Sequence, residues 1–131
     1  MAQIIVITHG NLASELIRIA ESILGRQTGA VSICLDLHEE DRAEIKNRIK
    51  NALAPYPNSN LIILTDLFGG TASNLAIPFV RKERTEVITG LNLAMLLYLL
   101  TQPADAKFRE MCQGAKQAAQ EAIVIAGEYL P

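Results

Sequence analysis

The sequence is poor in the features that mark several large classes of protein. Only two of its 131 residues are cysteines, Cys34 and Cys112, and they lack the spacing of a metal site. Basic residues do not predominate, since the net charge is −2 and the pI is about 5.7, so we expect no nucleic-acid partner. The longest apolar run, around residues 91–100, is too short to cross a bilayer and is typical of a buried helix.

The beginning of the sequence also lacks the basic segment and cleavage site of a signal peptide, because Gln3 leads directly into a strand-like run. We therefore predict a cytoplasmic protein. Its hydrophobic content of 50% and charged content of 20% are close to those of ordinary globular proteins. The length suits one domain, residues 1–131, that buries a core without disulfides. Cys34 lies in an apolar run, where we expect a buried and unreactive thiol.

Short apolar runs alternate with helical patterns along the whole chain. The predicted strands are residues 3–8, 31–35, 61–65 and 86–89. The predicted helices are residues 12–24 with Asn11 as N-cap, 39–53, a short helix from about 72, a helix capped by Asn92 that runs to 100, and a long helix from about 105. In the first helix the apolar side chains that recur at helical spacing are Leu12, Leu16, Ile19, Ile23 and Leu24. The tail, residues 122–130, could extend the last helix or form a short antiparallel fifth strand.

This alternation predicts an α/β fold with an open, mainly parallel sheet, helices on both faces and the flavodoxin-like strand order 2-1-3-4. The strands are apolar throughout, as burial on both faces requires. Ligands bind such sheets beyond the carboxyl ends of the strands, where the chain order reverses. For this order the reversal lies between strands 1 and 3. The residues that follow these two strands are His9 and Asp66.

An imidazole beside a carboxylate is a pairing typical of nucleophilic chemistry. A carboxylate that accepts the proton of one ring nitrogen fixes the tautomer and makes the other nitrogen a better nucleophile. It also stabilises positive charge when that nitrogen gains a phosphoryl group. We therefore predict catalytic roles for His9 and Asp66. A structural histidine beside a turn-capping aspartate is the alternative that these residues alone leave open.

The loop after Asp66 has the composition of an anion site. Gly69 and Gly70 allow close approach of the backbone, and the helix that follows offers N–H groups and a positive dipole end. Thr71 and Ser73 add hydroxyl donors. We predict that these four residues bind a phosphoryl group.

Three segments resemble one known family. They are VITHG at residues 6–10, LTDLFGGTASN at residues 64–74 and VITGLNLAML at residues 87–96. Their order and spacing are similar to those of the mannose-family enzyme IIA domains of the bacterial phosphotransferase system, over essentially the whole chain. Ala72 and Ala94 stand where proline is frequent in that family.

The resemblance implies a mechanism and partners. His9 would accept a phosphoryl group from the histidine phosphocarrier protein and pass it to a IIB component, which serves the membrane IIC and IID components. Asp66 would orient His9, and Thr71 and Ser73 would lie by the phosphate. Members of the family are homodimers, some of which exchange a C-terminal strand. We expect no cofactor. We also expect no metal at His9 and Asp66, because two ligands without an obvious third are too few.

Other interpretations remain open at this point. Two rivals for the function are the phosphotransfer subunit of a dihydroxyacetone kinase and a non-catalytic regulatory module that binds an anion. His38, which is followed by three acidic residues, could be a metal ligand or a second phosphorylation site, or a solvated residue at a helix start. The run at residues 81–84 is typical of a solvated connector, although its basic side chains could meet an acidic partner. We interpret Asp36 as a cap.

Overall fold

A computed structural model describes residues 2–36 and 38–131. Within those residues the strands are β1 (Gln3–His9), β2 (Val31–Leu35), β3 (Leu61–Thr65) and β4 (Thr85–Ile88). The α-helices are α1 (Leu12–Leu24), α2 (Arg42–Leu53), α3 (Thr71–Ala76), α4 (Leu93–Leu100) and α5 (Phe108–Glu121). Two short 3-10 helices cover Ile77–Phe79 and Ala126–Tyr129.

The four strands form one parallel sheet in the order β2-β1-β3-β4, which confirms the predicted fold. Ile5 in β1 pairs with Val31 in β2 and with Ile63 in β3. The central strands β1 and β3 are buried at nearly every position because helices cover both faces of the sheet. Because the strands are parallel, the carboxyl ends of β1 and β3 lie side by side at one end of the sheet.

Two hydrophobic cores lie on opposite faces of the sheet. On one face, α1, α4 and α5 pack against alternate strand residues: Ile4, Val6, Ile62 and Leu64. On the other face, α2 and α3 pack against the intervening positions: Ile5, Ile7, Ile33, Leu35, Leu61 and Ile63. This alternation follows from the two-residue period of a strand, whose successive side chains point to opposite faces.

Several elements differ from their predicted bounds by one to three residues, and β1, for example, ends at His9 rather than at residue 8. Helix α2 begins at Arg42 rather than at residue 39, because the Asp41 side chain accepts the N–H of Glu44 at 2.8 Å and caps the helix there. Helix α5 begins at Phe108 rather than near 105, after a turn in which Ala106 N–H bonds to the Pro103 carbonyl. Strand β4 is shifted one residue earlier, and beyond it the N–H of Leu91 bonds to the Thr65 carbonyl.

Helix α1 has the predicted bounds, but its buried face is not formed by the large apolar side chains. The small residues Ala13 and Ala20, with Ile17, are buried, whereas the predicted repeat contributes three exposed residues: Leu12, Ile19 and Ile23. Small side chains allow the helix to lie close to the sheet, which apolar spacing alone does not show. Asn11 takes the predicted N-cap position, although not through its side chain. The Asn11 side chain makes no capping bond, and Thr8 Oγ1 instead accepts the N–H of Ala13 at 2.7 Å.

The tail adopts neither of its two predicted forms. Helix α5 ends at Glu121, and residues 123–125 belong to no helix and pair with no strand in the described part of the chain. Ile123 is 77% exposed, and Val124 and Ile125 are exposed as well. The tail thus presents a β-branched cluster to solvent. None of the helices formed by residues 2–36 and 38–131 has the length and apolar character needed to cross a membrane.

Candidate active site

The switch point of the sheet brings His9 and Asp66 into direct contact. His9 is the last residue of β1 and Asp66 follows β3, its neighbour in the sheet. Nδ1 of His9 lies 2.7 Å from Oδ2 of Asp66, and the backbone N–H of His9 donates to the same oxygen at 3.0 Å. The other carboxylate oxygen, Oδ1, accepts the N–H of Leu67 at 3.0 Å. Three hydrogen bonds therefore fix the carboxylate beside the ring.

These contacts keep Asp66 ionised. Burial raises the pKa of the Asp66 carboxyl, but the hydrogen bonds from the backbone and ring of His9, the charge of that ring and the Leu67 N–H outweigh it. The net effect is a pKa below the ordinary value. An ionised carboxylate only accepts hydrogen bonds, so Nδ1 of His9 carries the proton between them. In the neutral imidazole the lone pair then lies on Nε2.

The second ring nitrogen of His9 is available to an incoming group. The His9 side chain is 38% exposed, whereas that of Asp66 is only 12% exposed. Among the described residues Nε2 of His9 has no hydrogen-bond partner. The geometry therefore presents a nucleophilic nitrogen to solvent and keeps its orienting carboxylate inside. This is the arrangement that nucleophilic catalysis requires.

The loop after Asp66 is held together by its own polar groups. The buried Ser73 hydroxyl accepts the N–H of Gly69 at 2.9 Å and donates to the Gly70 carbonyl at 3.0 Å. The N–H of Gly70 donates to the Leu67 carbonyl, and the Asn74 amide donates to the Gly69 carbonyl. The N–H groups of both glycines and the hydroxyl hydrogen of Ser73 are thus already engaged. Direct phosphate contacts from these groups would require the loop to open.

The glycines have a different part in the geometry of the loop. Gly69 has φ +83°, a left-handed conformation that glycine adopts without strain. A Cβ on Gly70 would lie 3.4 Å from Cε1 of His9 and 3.4 Å from the Leu67 carbonyl oxygen. The bare Gly70 backbone therefore lies against the imidazole ring. The half-buried Thr71 follows at the start of α3, and its hydroxyl makes no hydrogen bond to another described residue.

A cavity of about 430 Å³ opens beside His9. Its lining includes Asn11, Cys34, Asp36 and His38. The prediction of a buried Cys34 was wrong, because this thiol is half-buried and lines the cavity, with Sγ 3.6 Å from Oγ of Ser14. Cys34 precedes the last residue of β2, and at this end of the strand its side chain is only partly covered by its neighbours. The apolar run in the sequence did not reveal this.

The other candidate residues of the sequence take structural or solvent-exposed positions. Asp36 accepts the N–H of His38 at 3.0 Å through its side chain, and its carbonyl accepts the N–H of Glu40, as a turn cap does. His38 is exposed in that turn, four residues before α2. Residues 2–36 and 38–131 contain no group of three or more metal-ligating side chains placed to hold an ion.

Sequence reasoning missed a group of exposed apolar side chains around the site. Phe68 is 79% exposed, and Leu67 and Leu12 are exposed as well. Leu67 and Phe68 directly follow Asp66, and Leu12 begins α1 three residues after His9. Large exposed apolar side chains beside a reactive group are typical of a protein-docking surface. The sequence feature that could have indicated this surface is a Leu-Phe pair in a glycine-containing loop, where no hydrophobic core can bury the two side chains.

Comparison with known proteins identifies the family. A family described as "PTS system fructose IIA component", where PTS is the phosphotransferase system, matches residues 3–116. The chain belongs to this mannose-type EIIA family. The family resemblance of the sequence motifs is therefore confirmed. IIA components are phosphotransferases, so a role in phosphoryl transfer follows for this chain.

Two curated relatives show how the IIA unit occurs elsewhere. A fructose-specific EIIA component from Bacillus subtilis is 24% identical over 99% of this chain and 90% of its own length. A mannose-specific EIIAB component from Escherichia coli is 33% identical over 92% of this chain, which spans only 38% of that protein. The match to the longer protein is thus confined to a part of it.

Solved structures have the same fold. A sugar phosphotransferase permease component from Klebsiella pneumoniae, described as putative in its own name, superimposes with a TM-score of 0.87 and 26% identity, covering 99% of this chain and 94% of that one. The IIA protein associated with the fucose utilization operon of Streptococcus pneumoniae gives a TM-score of 0.84 with 27% identity over 99% and 96% of the two chains. The sheet and its helices are therefore those of this IIA component family.

Proposed function

We propose that this IIA component carries a phosphoryl group on Nε2 of His9 between two protein partners of a sugar phosphotransferase system. The observation that carries the proposal is the 2.7 Å contact between Nδ1 of His9 and the ionised Asp66 carboxylate. It leaves Nε2 as the exposed nitrogen with the lone pair. The donor would be the histidine phosphocarrier protein and the acceptor a IIB component, which serves membrane IIC and IID components.

The transfer needs no movement of a proton at His9. A bond forms between Nε2 and phosphorus, and the bond from phosphorus to the donor's imidazole nitrogen breaks, returning its electron pair to the donor ring. The His9 ring gains positive charge as the new bond forms, while Nδ1 keeps its hydrogen bonded to Asp66. The adjacent carboxylate stabilises that charge in the transition state.

The phosphoryl oxygens would be held by the loop that faces the ring. Thr71 is the best candidate, because its hydroxyl is not engaged by other described residues and it begins α3 beside Gly70. We propose that Gly69, Gly70 and Ser73 act mainly by shaping the loop, since their donors are bonded inside it. This revises their role from direct phosphate ligands to residues that place the backbone against His9.

Both partners would dock on the exposed apolar side chains around His9. Leu12, Leu67 and Phe68 can cover a contact that excludes water from the phosphoryl group. Exclusion of water matters because a phosphohistidine is lost by hydrolysis when water reaches it in place of the acceptor. The same surface would serve donor and acceptor in turn, since both must present their reacting group to one nitrogen.

The direct test is incubation with phosphoenolpyruvate, enzyme I and the phosphocarrier protein, followed by intact mass spectrometry. We expect one acid-labile, base-stable phosphoryl group that is lost again on addition of a IIB protein. His38→Ala is the matched control, since the chain has two histidines, and it should label like the wild type. Full labelling of His9→Ala would contradict the proposal.

We also propose a homodimer in which the tail of one chain covers β4 of the other. Strand β4 is at the edge of the sheet, and a cavity of about 420 Å³ runs between it and α5 as far as Ile123. An open strand edge is a template for another strand. Each large apolar side chain of the tail that becomes buried contributes roughly 1.5–3 kcal/mol, and exchange of an identical segment gives a two-fold dimer.

Light scattering of truncated chains tests the dimer. The full chain should be dimeric at micromolar concentration, and a chain that ends before Ile123 should be monomeric or much weaker in association. A chain that ends after Ala126 keeps the β-branched cluster and is the matched control, which should still dimerise. A monomeric full chain would contradict the dimer, and equal dimerisation of the shortest chain would exclude the tail from it.

A further inference from the structure

A second cavity lies at the opposite end of the sheet from His9. It has a volume of about 550 Å³ and lies where β3 and β4 begin, at Leu61 and Thr85, beside the C-terminal end of α2. Its volume is in the range of small-molecule sites, about 300–1,000 Å³. Nothing in the phosphoryl-transfer scheme uses this end of the molecule.

Three cationic side chains line this cavity. They are Lys50, Arg81 and Arg84, which come from α2 and from the segment before β4. Within the described residues, none of the three has a carboxylate within 4.0 Å, although other basic residues such as Arg18, Arg48 and Arg109 are ion-paired. No acidic residue is among those that line the cavity. The cavity is therefore positive in a chain whose net charge is −2.

Hydrogen bonds to the backbone hold the loop that carries the two arginines, and they also hold the side chain of Arg84. Arg81 and Thr85 exchange two backbone hydrogen bonds of 2.9 Å, which close the segment into a tight loop. The guanidinium of Arg84 donates to the Pro57 carbonyl at 2.7 Å, and its own carbonyl accepts the N–H of Leu61. The anchored Arg84 side chain loses less conformational entropy on binding than a free one would.

Opposing negative charge at this end is small. The C-terminal end of α2 carries about half a negative charge from its unpaired carbonyls, and Glu83 lies on the same loop but does not line the cavity. The three cationic side chains of the cavity contribute three full positive charges, which exceed this negative charge. Guanidinium groups bind phosphate through paired, charge-assisted hydrogen bonds, which are stronger than neutral ones.

The remaining wall of the cavity is mainly apolar and aromatic. It also includes two residues with aliphatic hydroxyl groups, Ser59 and Thr85. Tyr56 and Phe79 are half-buried there, and Leu61, which also lines the cavity, is buried. We propose that this cavity binds a small phosphate whose body is aromatic, of the nucleoside monophosphate class. The phosphate would lie on the cationic rim, and the base would pack against the aromatic side chains, which stack well with planar rings. This site is independent of phosphoryl transfer at His9.

Binding of AMP to the full chain tests the proposal, by calorimetry and by ¹H–¹⁵N NMR. Saturable binding is expected, with shifts at the cavity residues and none around His9. Adenosine, which lacks the charge, and inorganic phosphate, which lacks the ring, should each bind at least about tenfold more weakly. Comparable binding of phosphate and AMP would overturn the proposal, as would the absence of AMP binding.

Charge-neutralising variants locate the site. Lys50→Gln and Arg81→Gln should each weaken AMP binding about tenfold. Lys82→Gln is the matched control, because Lys82 is on the same loop and carries the same charge but does not line the cavity. It should bind AMP like the wild type. An equal loss in Lys82→Gln would show a general field effect instead of a site and would overturn the assignment.

Discussion

The two ends of the parallel sheet place charge in opposite ways. At the carboxyl end, the ionised Asp66 carboxylate contacts His9 and is fixed by three hydrogen bonds. At the amino end, Lys50, Arg81 and Arg84 line a cavity whose lining, among the described residues, includes no carboxylate. The first arrangement would make His9 a better nucleophile, whereas the second would bind an anion.

The difference follows from what each end would do with phosphate. A carrier must release its phosphoryl group, so strong cationic contacts in the resting state would stabilise the bound group and slow its departure. A single orienting carboxylate and a few neutral donors avoid that outcome. A binding site has no such requirement, and unpaired cations around an apolar wall suit it.

The largest effect is expected from removing the negative charge at the carboxyl end. Asp66→Asn keeps the shape of the side chain but removes the charge that, in the proposed mechanism, would stabilise the His9 ring as it gains a phosphoryl group. We expect transfer to slow by between about tenfold and 10³-fold, less than the roughly 10⁴-fold loss in a protease triad that also shuttles a proton. Rapid-quench measurement of transfer from the phosphocarrier protein gives the rate.

Asp36→Asn is the matched control for that variant. Asp36 is also at the carboxyl end and lines the cavity beside His9, but its side chain caps a turn. Its variant should transfer within about twofold of the wild type, since surface changes away from a reacting group have small effects. Equal slowing of both variants would mean that general charge at this end, rather than the contact with His9, controls the rate.

A smaller effect is expected from the loop. Ser73→Ala leaves the Gly69 N–H and the Gly70 carbonyl without their buried partner, which we expect to cost about 1–3 kcal/mol in the free energy of unfolding. Thr71→Ala should slow transfer while changing stability by less than about 0.5 kcal/mol. Urea denaturation and transfer rates, measured on both variants, separate the two roles. A Ser73→Ala variant of unchanged stability would contradict the loop's dependence on that hydroxyl.

The smallest expected effect is on how the stability of the fold depends on pH. The pKa of Asp66 is below its ordinary value of 3.8 in the folded chain, so its contacts stabilise the fold above that pH. This contribution is lost as the pH falls through the folded pKa. Asp66→Asn should therefore destabilise the chain more at pH 7 than at pH 3, measured by urea denaturation. A difference of the opposite sign would mean that burial, and not hydrogen bonding, dominates at this carboxyl.

Much of the fold and the central pair could be predicted because they rest on local signals. Continuous apolar runs predict the bounds of β2 and β3, and the strand order alone predicts that His9 lies beside Asp66. The buried face of α1 could not be predicted, because Ala13 and Ala20 are small and carry little apolar signal. Packing distance, which decides such faces, depends on the neighbouring sheet.

The role of Ser73 and the cavity at the amino end could not be predicted either. The first depends on a choice between possible hydrogen-bond partners, and the second on contacts between residues far apart in the sequence. The hydroxyl of Ser73 could bond to phosphate or to its own loop, and only the loop's conformation shows that it bonds to Gly69 and Gly70. The amino-end cavity joins side chains from residues 50–85. In the sequence its arginines formed part of a solvated run. Neither feature has a spacing rule that sequence reasoning could use.

The most direct test of the account is to identify the phosphorylated nitrogen. Long-range ¹H–¹⁵N NMR of the phosphorylated chain distinguishes the two nitrogens of the His9 ring. Because Nδ1 is bonded to Asp66 and Nε2 is open, the account predicts phosphorus on Nε2 of His9 with Nδ1 still protonated. A phosphoryl group on Nδ1 of His9, or on His38, would contradict it.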